Sequence, residues 1–381
     1  MKPHILFFIT EDWYFWSHRL PIARAARGAG FKVLVATRVG QHKERIENEG
    51  FRLIPIGLER KSKNVLKELL SIFEIIKIYR RERPVIVHHV AVKPVLYGSW
   101  AARIAGVPGV VNALAGLGFI FVAQGWKAKI LRQLIVFAYR SAFSAKNTIG
   151  IFQNPEDLNL FIDARIVKAE KAALIRGSGV DAVRFTPLPE QTSIPTIVLA
   201  SRMLWDKGVG EFVDAARILK KDGFKCRMIL IGNPDPENPA SIPEEILNGW
   251  HSEGIVEWWG HREDMPEVFA QSNIVVLPSY REGLPKVLLE AASCGRAIVA
   301  TDVPGCREIV RHNENGLLVP PHDSKSLADA LKSLIGNPEL RARMGTRGRE
   351  IVEAEFSEEI VVRQTMEVYK KLLINKKRSC C

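Results

Sequence analysis

The chain is predicted to be an α/β protein built from two units, each a parallel sheet covered by helices on both faces. Three observations predict this. Short β-branched, near-continuous apolar runs alternate with longer amphipathic stretches from one end to the other, the pattern of strands buried on both sides. At 381 residues the chain exceeds one ordinary core. A Pro-rich polar stretch at 186–195 interrupts the alternation near the middle and is the expected linker.

In the first half the strands are expected at 4–10, 32–36, 85–88, 110–112, 148–153 and 173–176, with helical patterns at 18–28, 65–83 and 127–144 between them. The second half repeats the theme, with strands at 196–200, 227–231, 256–259, 274–277, 297–301 and 316–319. A long helical pattern at 358–374 follows, and then a basic tail expected to fray. The domain boundaries read from this are 1–187, 188–356 and 357–381. Two such units leave a cleft between them, and ligands of parallel sheets bind outside the carboxyl ends of the strands.

Composition narrows the function. Hydrophobic residues make up 47% and charged residues 25%, normal for a globular protein, and no apolar run has the ~18 residues of a membrane span. The apolar start is followed at once by Glu11 and Asp12 and is read as a buried strand rather than an export signal. Cys226, Cys294, Cys306, Cys380 and Cys381 have no metal-binding or redox spacing, and reduced thiols in a cytoplasm are expected. The net charge of +12 is uneven: residues 1–190 hold 29 Lys and Arg against 15 Asp and Glu, the remainder 25 against 27. A basic first half fits a phosphorylated substrate or an anionic membrane surface. Nucleic acid is not expected as a partner, because zinc-finger spacing, an RNP-like motif and a basic heptad region are all missing.

The chemistry concentrates in two segments of the second half. Tyr280-Arg281-Glu282-Gly283-Leu284-Pro285 joins an expected strand to a helix that starts near Lys286 and Val287. Pro285 suits the first helical turn, Gly283 permits close backbone approach, and the amides of a helix start attract anions. Glu282 in the loop and Glu290 a turn into the helix can border one ligand, and carboxylates accept hydrogen bonds from the vicinal hydroxyls of a sugar or ribose. After the strand at 196–200 comes Ser201-Arg202-Met203-Leu204-Trp205-Asp206-Lys207-Gly208. Arg202 and Lys207 there can clamp a diphosphate through charge-assisted hydrogen bonds. Gly208-Val209-Gly210 opens like a dinucleotide fingerprint, but Val213 stands where the third glycine belongs.

With these residues the chain resembles the retaining glycosyltransferases of the GT-B fold, family 4. The resemblance rests on Ser201-Arg202 with Lys207-Gly208, on Gly260 before His261, on the E-x7-E spacing of Glu282 and Glu290, and on Asp302-Val303-Pro304-Gly305. It implies two Rossmann-like domains facing a central cleft, with the C-terminal helix crossing back to the first. It further implies that Arg202 and Lys207 stabilise the departing diphosphate of a nucleotide-sugar donor. Glu290 would hold the ribose, Glu282 would contact the donor sugar, and the backbone around Gly260 and His261 would read the base. Gly283, Leu284, Pro285, Lys286 and Val287 complete the expected donor site. No metal or other cofactor is expected.

The first half is similar to the branch acting on polyprenyl-diphosphate-linked sugars, through His88-His89-Val90-Ala91-Val92-Lys93-Pro94, Asn112-Ala113-Leu114-Ala115-Gly116-Leu117-Gly118 and Ile175-Arg176-Gly177-Ser178-Gly179-Val180-Asp181. His89 is expected to take part in catalysis. His18, His88, Lys93, Gly116 and Gly118 are expected to contact the acceptor. The chain departs from its relatives at Glu11 to His18, an aromatic segment where many carry a Gly-Gly loop. Apolar and basic residues mixed over 119–129 are expected to meet an anionic inner-membrane surface. The reaction expected is transfer of a hexose or N-acetylhexosamine from a UDP-sugar to a lipid-linked saccharide during bacterial surface-glycan assembly, by an enzyme peripheral to the cytoplasmic face of the membrane. A nucleotide-sugar epimerase of the same architecture and a basic nucleic-acid-binding protein are the alternatives.

Overall fold

The computed structural model describes residues 2–60, 64–114, 116, 126–190 and 194–379, without the side chains of 65, 126–130 and 375–379. The chain forms two compact units, Met1–Ser178 with Glu359–Cys381, and Gly179–Glu358.

The first unit is built on seven parallel strands: β1 His4–Glu11, β2 Lys32–Arg38, β3 Arg52–Pro55, β4 Ile86–Val90, β5 Gly109–Leu114, β6 Thr148–Phe152 and β7 Ala172–Leu174. Their order is β3-β2-β1-β4-β5-β6-β7. The direction of winding therefore reverses between β1 and β4, where Phe7 pairs with His88. Helices α1 (Asp12–His18), α2 (Leu20–Gly28), α3 (Lys43–Asn48), α4 (Val65–Glu82), α5 (Val92–Ala105), α6 (Trp126–Phe143) and α7 (Pro155–Asp163) cover the sheet. One core lies under α1, α2 and the last helix, α15 (Glu358–Ser379), which contributes Val361, Val368, Tyr369 and Leu372. The core on the other face is closed by α4 and α5, with Ile75, Ile78, Tyr79 and Ala101.

The second unit has six parallel strands: β8 Thr196–Ala200, β9 Arg227–Ile231, β10 Glu257–Trp258, β11 Ile274–Leu277, β12 Ala297–Thr301 and β13 Gly316–Val319. They are ordered β10-β9-β8-β11-β12-β13, so the reversal falls between β8 and β11. All four residues of β11 and all five of β12 are buried, as an interior strand covered on both faces requires. Around this sheet lie α8 (Val209–Lys221), α9 (Glu244–Ser252), α10 (Met265–Ala270), α11 (Lys286–Ser293), α12 (Pro304–Ile309), α13 (Ser324–Ile335) and α14 (Pro338–Glu355).

Four details differ from the sequence reading. The expected helix at 18–28 begins at Leu20 as α2, because His18 ends α1, the backbone leaves helical geometry at Arg19 (φ −126°, ψ −8°), and Pro21 suits the first turn that follows. The aromatic segment after β1 is α1, held down by Phe15 against Phe7 and Phe51. The last helix continues past Ile374 to Ser379. The stretch expected as a linker groups with the second unit, where Glu190 accepts from Asn273 and pairs with Arg341 at 2.9 Å.

Candidate active site

Loops following five strands of the second sheet meet at its carboxyl edge, and backbone hydrogen bonds tie them together. Ser201 N donates to Ile231 O (3.0 Å), Met203 N to Asn233 O (3.0 Å), Gly232 N to Gly260 O (2.7 Å) and Tyr280 N to Asp206 O (3.0 Å). The Thr301 hydroxyl donates to Ser279 O, fixing the end of β12 to the loop after β11. The loops after β8 and β11 flank the reversal point, where open α/β sheets bind their ligands.

Lys207 ends a single turn of 3-10 helix over Trp205–Lys207, and Gly208 follows with φ +72°. A side chain at Gly208 would place Cβ 2.1 Å from Pro278 O, so only glycine lets this turn lie against the end of β11. The contact brings Lys207 Nζ to 2.5 Å from Glu282 Oε1, with the two side chains 18% and 11% exposed. Gly305 is packed the same way, its would-be Cβ 2.5 Å from Gly283 O, so α12 supports the Glu282–Gly283 backbone from below. Arg202 reaches Asp235 Oδ2 at 2.7 Å. Within α11, Lys286 Nζ lies 3.7 Å from Glu290 Oε1, one turn along the helix. Burial pushes the Glu290 carboxyl above the ordinary carboxylate range, with Lys286 opposing the shift. Burial raises the Cys306 thiol well above its usual value, and Glu282 adds to the effect.

Arg202, Lys207, Glu282, Gly283, Pro285, Lys286 and Glu290 thus belong to one edge of one sheet. Gly260 (φ +67°) joins them through its hydrogen bond to Gly232, and His261 beside it is exposed. Two expectations change in detail. Pro285 is the residue before the helix (φ −74°, ψ 113°) rather than within its first turn. Leu284 is buried in the core under α11, so only its backbone is placed to meet a ligand. Sequence reasoning missed Asp235 as the partner of Arg202. It also missed Tyr280, whose hydroxyl donates to Glu211 at 2.6 Å and whose ring lies 3.7 Å from that of His322.

In the first unit the expected residues are less available. His89 has no exposed surface, and its Nδ1 lies 2.7 Å from Asn112 Oδ1 and its Nε2 2.9 Å from the Tyr79 hydroxyl. Burial pushes its pKa down to about 4. It is a neutral ring locked in a core network, which corrects the catalytic assignment. His88 points to the opposite face, with Nδ1 2.6 Å from the Tyr369 hydroxyl. Lys93 is held by Glu68 Oε1 and Glu59 O, each at 2.8 Å. His18 stacks on Tyr14 with centroids 4.2 Å apart. Gly116 adopts φ +116°, while Gly118 and residues 117–125 lie outside the described residues.

Known proteins carry the same two units in the same order. Residues 4–149 match the family described as glycosyl transferase 4-like, and residues 194–337 match the glycosyl transferases group 1. The fold superposes on sucrose-phosphate synthase from Thermosynechococcus elongatus with a TM-score of 0.80 at 19% identity, covering 98% of this chain and 100% of the other. The chain is a glycosyltransferase of the GT-B fold. The enzyme is 28% identical over 370 residues to the N,N'-diacetylbacillosaminyl-diphospho-undecaprenol alpha-1,3-N-acetylgalactosaminyltransferase of Campylobacter jejuni, covering 94% of this chain and 96% of that protein. It is 26% identical to the UDP-Gal:alpha-D-GlcNAc-diphosphoundecaprenol alpha-1,3-galactosyltransferase of Escherichia coli, over 70% of each chain. The glycosyltransferase thus resembles enzymes whose names specify undecaprenyl-diphosphate-linked sugars.

Proposed function

We propose that the enzyme transfers a hexose or N-acetylhexosamine from a UDP-sugar to a polyprenyl-diphosphate-linked saccharide, with retention of anomeric configuration. The observation that carries the donor half is the Lys207–Glu282 pair at 2.5 Å, set between the two loops at the sheet's reversal point. In the proposed reaction the bond between the sugar's C1 and the diphosphate oxygen breaks. An acceptor hydroxyl bonds to C1 on the same face, and its proton passes to the departing phosphate. Arg202, Lys207 and the first-turn amides of α11 stabilise the charge that grows on the diphosphate. Glu290 accepts from the ribose hydroxyls. Its burial favours hydrogen bonding to a neutral partner over exposure as a lone charge. Glu282, relieved of Lys207 when the diphosphate binds, accepts from a donor-sugar hydroxyl. Arg202 and Lys207 carry the neutralising role without a metal.

The acceptor half draws on the named relatives, which act on undecaprenyl-diphosphate-linked sugars. Work on such a lipid places the enzyme at the cytoplasmic face of the membrane. No helix among the described residues is long and apolar enough to cross one. A bilayer-facing surface is supported by α4, where Leu66, Leu69, Leu70 and Phe73 are 48–72% exposed, and by α6, where Leu131, Leu134 and Phe137 are 48–72% exposed. Lys67, Lys77, Arg80 and Arg81 flank the α4 stripe, as interfacial helices require.

The test is incubation with a panel of UDP-sugars and a polyprenyl-diphosphate-linked saccharide, with the product's anomeric coupling read by NMR. Retention is expected. An inverted product, or an isomerised UDP-sugar formed without acceptor, contradicts the reading.

A further inference from the structure

Arg19 stands between α1 and α2 with its side chain folded inward and only 3% of the residue exposed. Its Nη1 donates to His18 O at 3.1 Å, and its guanidinium lies 5.9 Å from the centre of the Tyr14 ring. Its Nε has no hydrogen-bond partner among the described residues. The nearest carboxylates in sequence are engaged elsewhere. Glu11 pairs with Arg38 at 3.0 Å, and Asp12 accepts from Gly40 N and His42 N. A buried guanidinium without a counter-charge is unfavourable unless something supplies one.

The same pocket holds a second unmet group and a buried amide. His88 Nε2 is buried and has no partner among the described residues, although Nδ1 is fixed by the Tyr369 hydroxyl. Gln153, the residue after β6, is 6% exposed and lines the same pocket. Arg19, His88 and Gln153 line one small cavity, with Ile151 and Ile175 as its apolar walls. The cavity lies on the face covered by α15, which adds Thr365, whose hydroxyl is spent on Val361 O. Its volume of about 10 Å³ admits one oxygen-sized group rather than a whole ligand.

We propose that Arg19, His88 and Gln153 form an oxyanion subsite of the first unit, taking one oxygen of a phosphate or carboxylate group. Arg19 donates from Nε, Gln153 from its amide, and His88 from Nε2 once the Tyr369 hydroxyl donates to Nδ1. A rigid guanidinium aims its N–H in a fixed direction, which suits one oriented charge-assisted bond better than a freely rotating ammonium would. Its assignment to the acceptor's diphosphate rests on the proposed function, whereas binding of a simple anion does not.

The experiment titrates the full-length protein with inorganic phosphate, acetate and geranyl diphosphate, following the His88 ring nitrogen-15 resonances and the melting temperature. Saturable binding of phosphate or acetate that shifts Nε2 is expected. Arg19→Met should weaken it by at least about tenfold while melting no lower than the wild type, because it removes an uncompensated charge. Arg19→Lys should recover only part of the affinity. Gln153→Leu should weaken binding as well, which keeps the test decisive if the Arg19 variants do not fold. Geranyl diphosphate binding more tightly than phosphate assigns the subsite to the lipid-linked substrate. Equal affinities assign it to free anions. Unchanged phosphate affinity in Arg19→Met and Gln153→Leu, or no saturable response in the wild type, overturns the proposal. Anion binding without any glycosyl transfer would leave the subsite standing and sink the acceptor assignment alone.

Discussion

Gly208→Ala is a small change with a large expected effect. The residue holds φ +72°, a conformation that costs an L side chain roughly 1–2 kcal/mol. The added Cβ would lie 2.1 Å from Pro278 O and 2.8 Å from Pro278 Cγ. Relief needs a shift of roughly 1 Å between the Trp205–Lys207 turn and the end of β11, at an overpacking cost of about 1–3 kcal/mol. The sum, about 2–5 kcal/mol, should lower the melting temperature by several degrees. The same shift stretches Tyr280 N to Asp206 O (3.0 Å) and Lys207 Nζ to Glu282 Oε1 (2.5 Å). A misplacement of about 1 Å at a reacting centre is worth about 100-fold in rate. Gly210→Ala is the control, two residues on in α8, where the new Cβ meets nothing closer than 3.4 Å, a Trp205 ring atom. It should be neutral or slightly stabilising, as Ala is preferred over Gly in a helix. Turnover and melting for Gly208→Ala equal to those of Gly210→Ala would refute the packing argument.

Three further outcomes follow from the same geometry. Arg202→Ala, Lys207→Ala and Glu282→Ala should each reduce turnover by about 100-fold or more in a transfer assay, and near-native rates in all three would remove the site assignment. His89 is held neutral, with its pKa pushed by burial from 6.5 to about 4. The unfolded chain therefore takes up a proton that the folded one refuses. The stability this gives is complete above about pH 6.5 and is lost as the pH falls towards 4, which melting curves across that window would record. An ordinary His89 titration by NMR would contradict it. Finally, Leu70→Glu with Phe73→Glu should reduce co-sedimentation with anionic liposomes at low salt, since both exposed side chains sit on the proposed bilayer face of α4. Undiminished pelleting would place the contact elsewhere.

The sheets were legible in the sequence because interior parallel strands are apolar on both faces. Ile274–Leu277 and Ala297–Thr301 are examples that needed no partner to be recognised. β3 was not, because Arg52 and Pro55 leave only Leu53 and Ile54 as its buried signal. α1 was hidden for a different reason. Its run of aromatics has weak helix propensity and is held by tertiary contacts of Phe15. The donor site could be read because each of its loops is a contiguous segment at a strand end. Its pairings could not, since Arg202 to Asp235 and Lys207 to Glu282 span 33 and 75 residues. His89 misled because neighbours on a strand face opposite sides, so it and His88 cannot both serve one site. Arg19 carried no local signal. Its importance lies in a buried charge that makes no ion pair among the described residues, which only the packed structure reveals.

The most direct measurement of the central claim is calorimetric titration of UDP into the wild-type enzyme and into Glu290→Gln and Lys207→Ala. The account predicts binding to the wild type, and at least tenfold weaker binding to each variant, as expected for a lost charge-assisted hydrogen bond to ribose or diphosphate. Equal affinity in all three proteins would contradict a nucleotide-sugar site at the carboxyl edge of the second sheet.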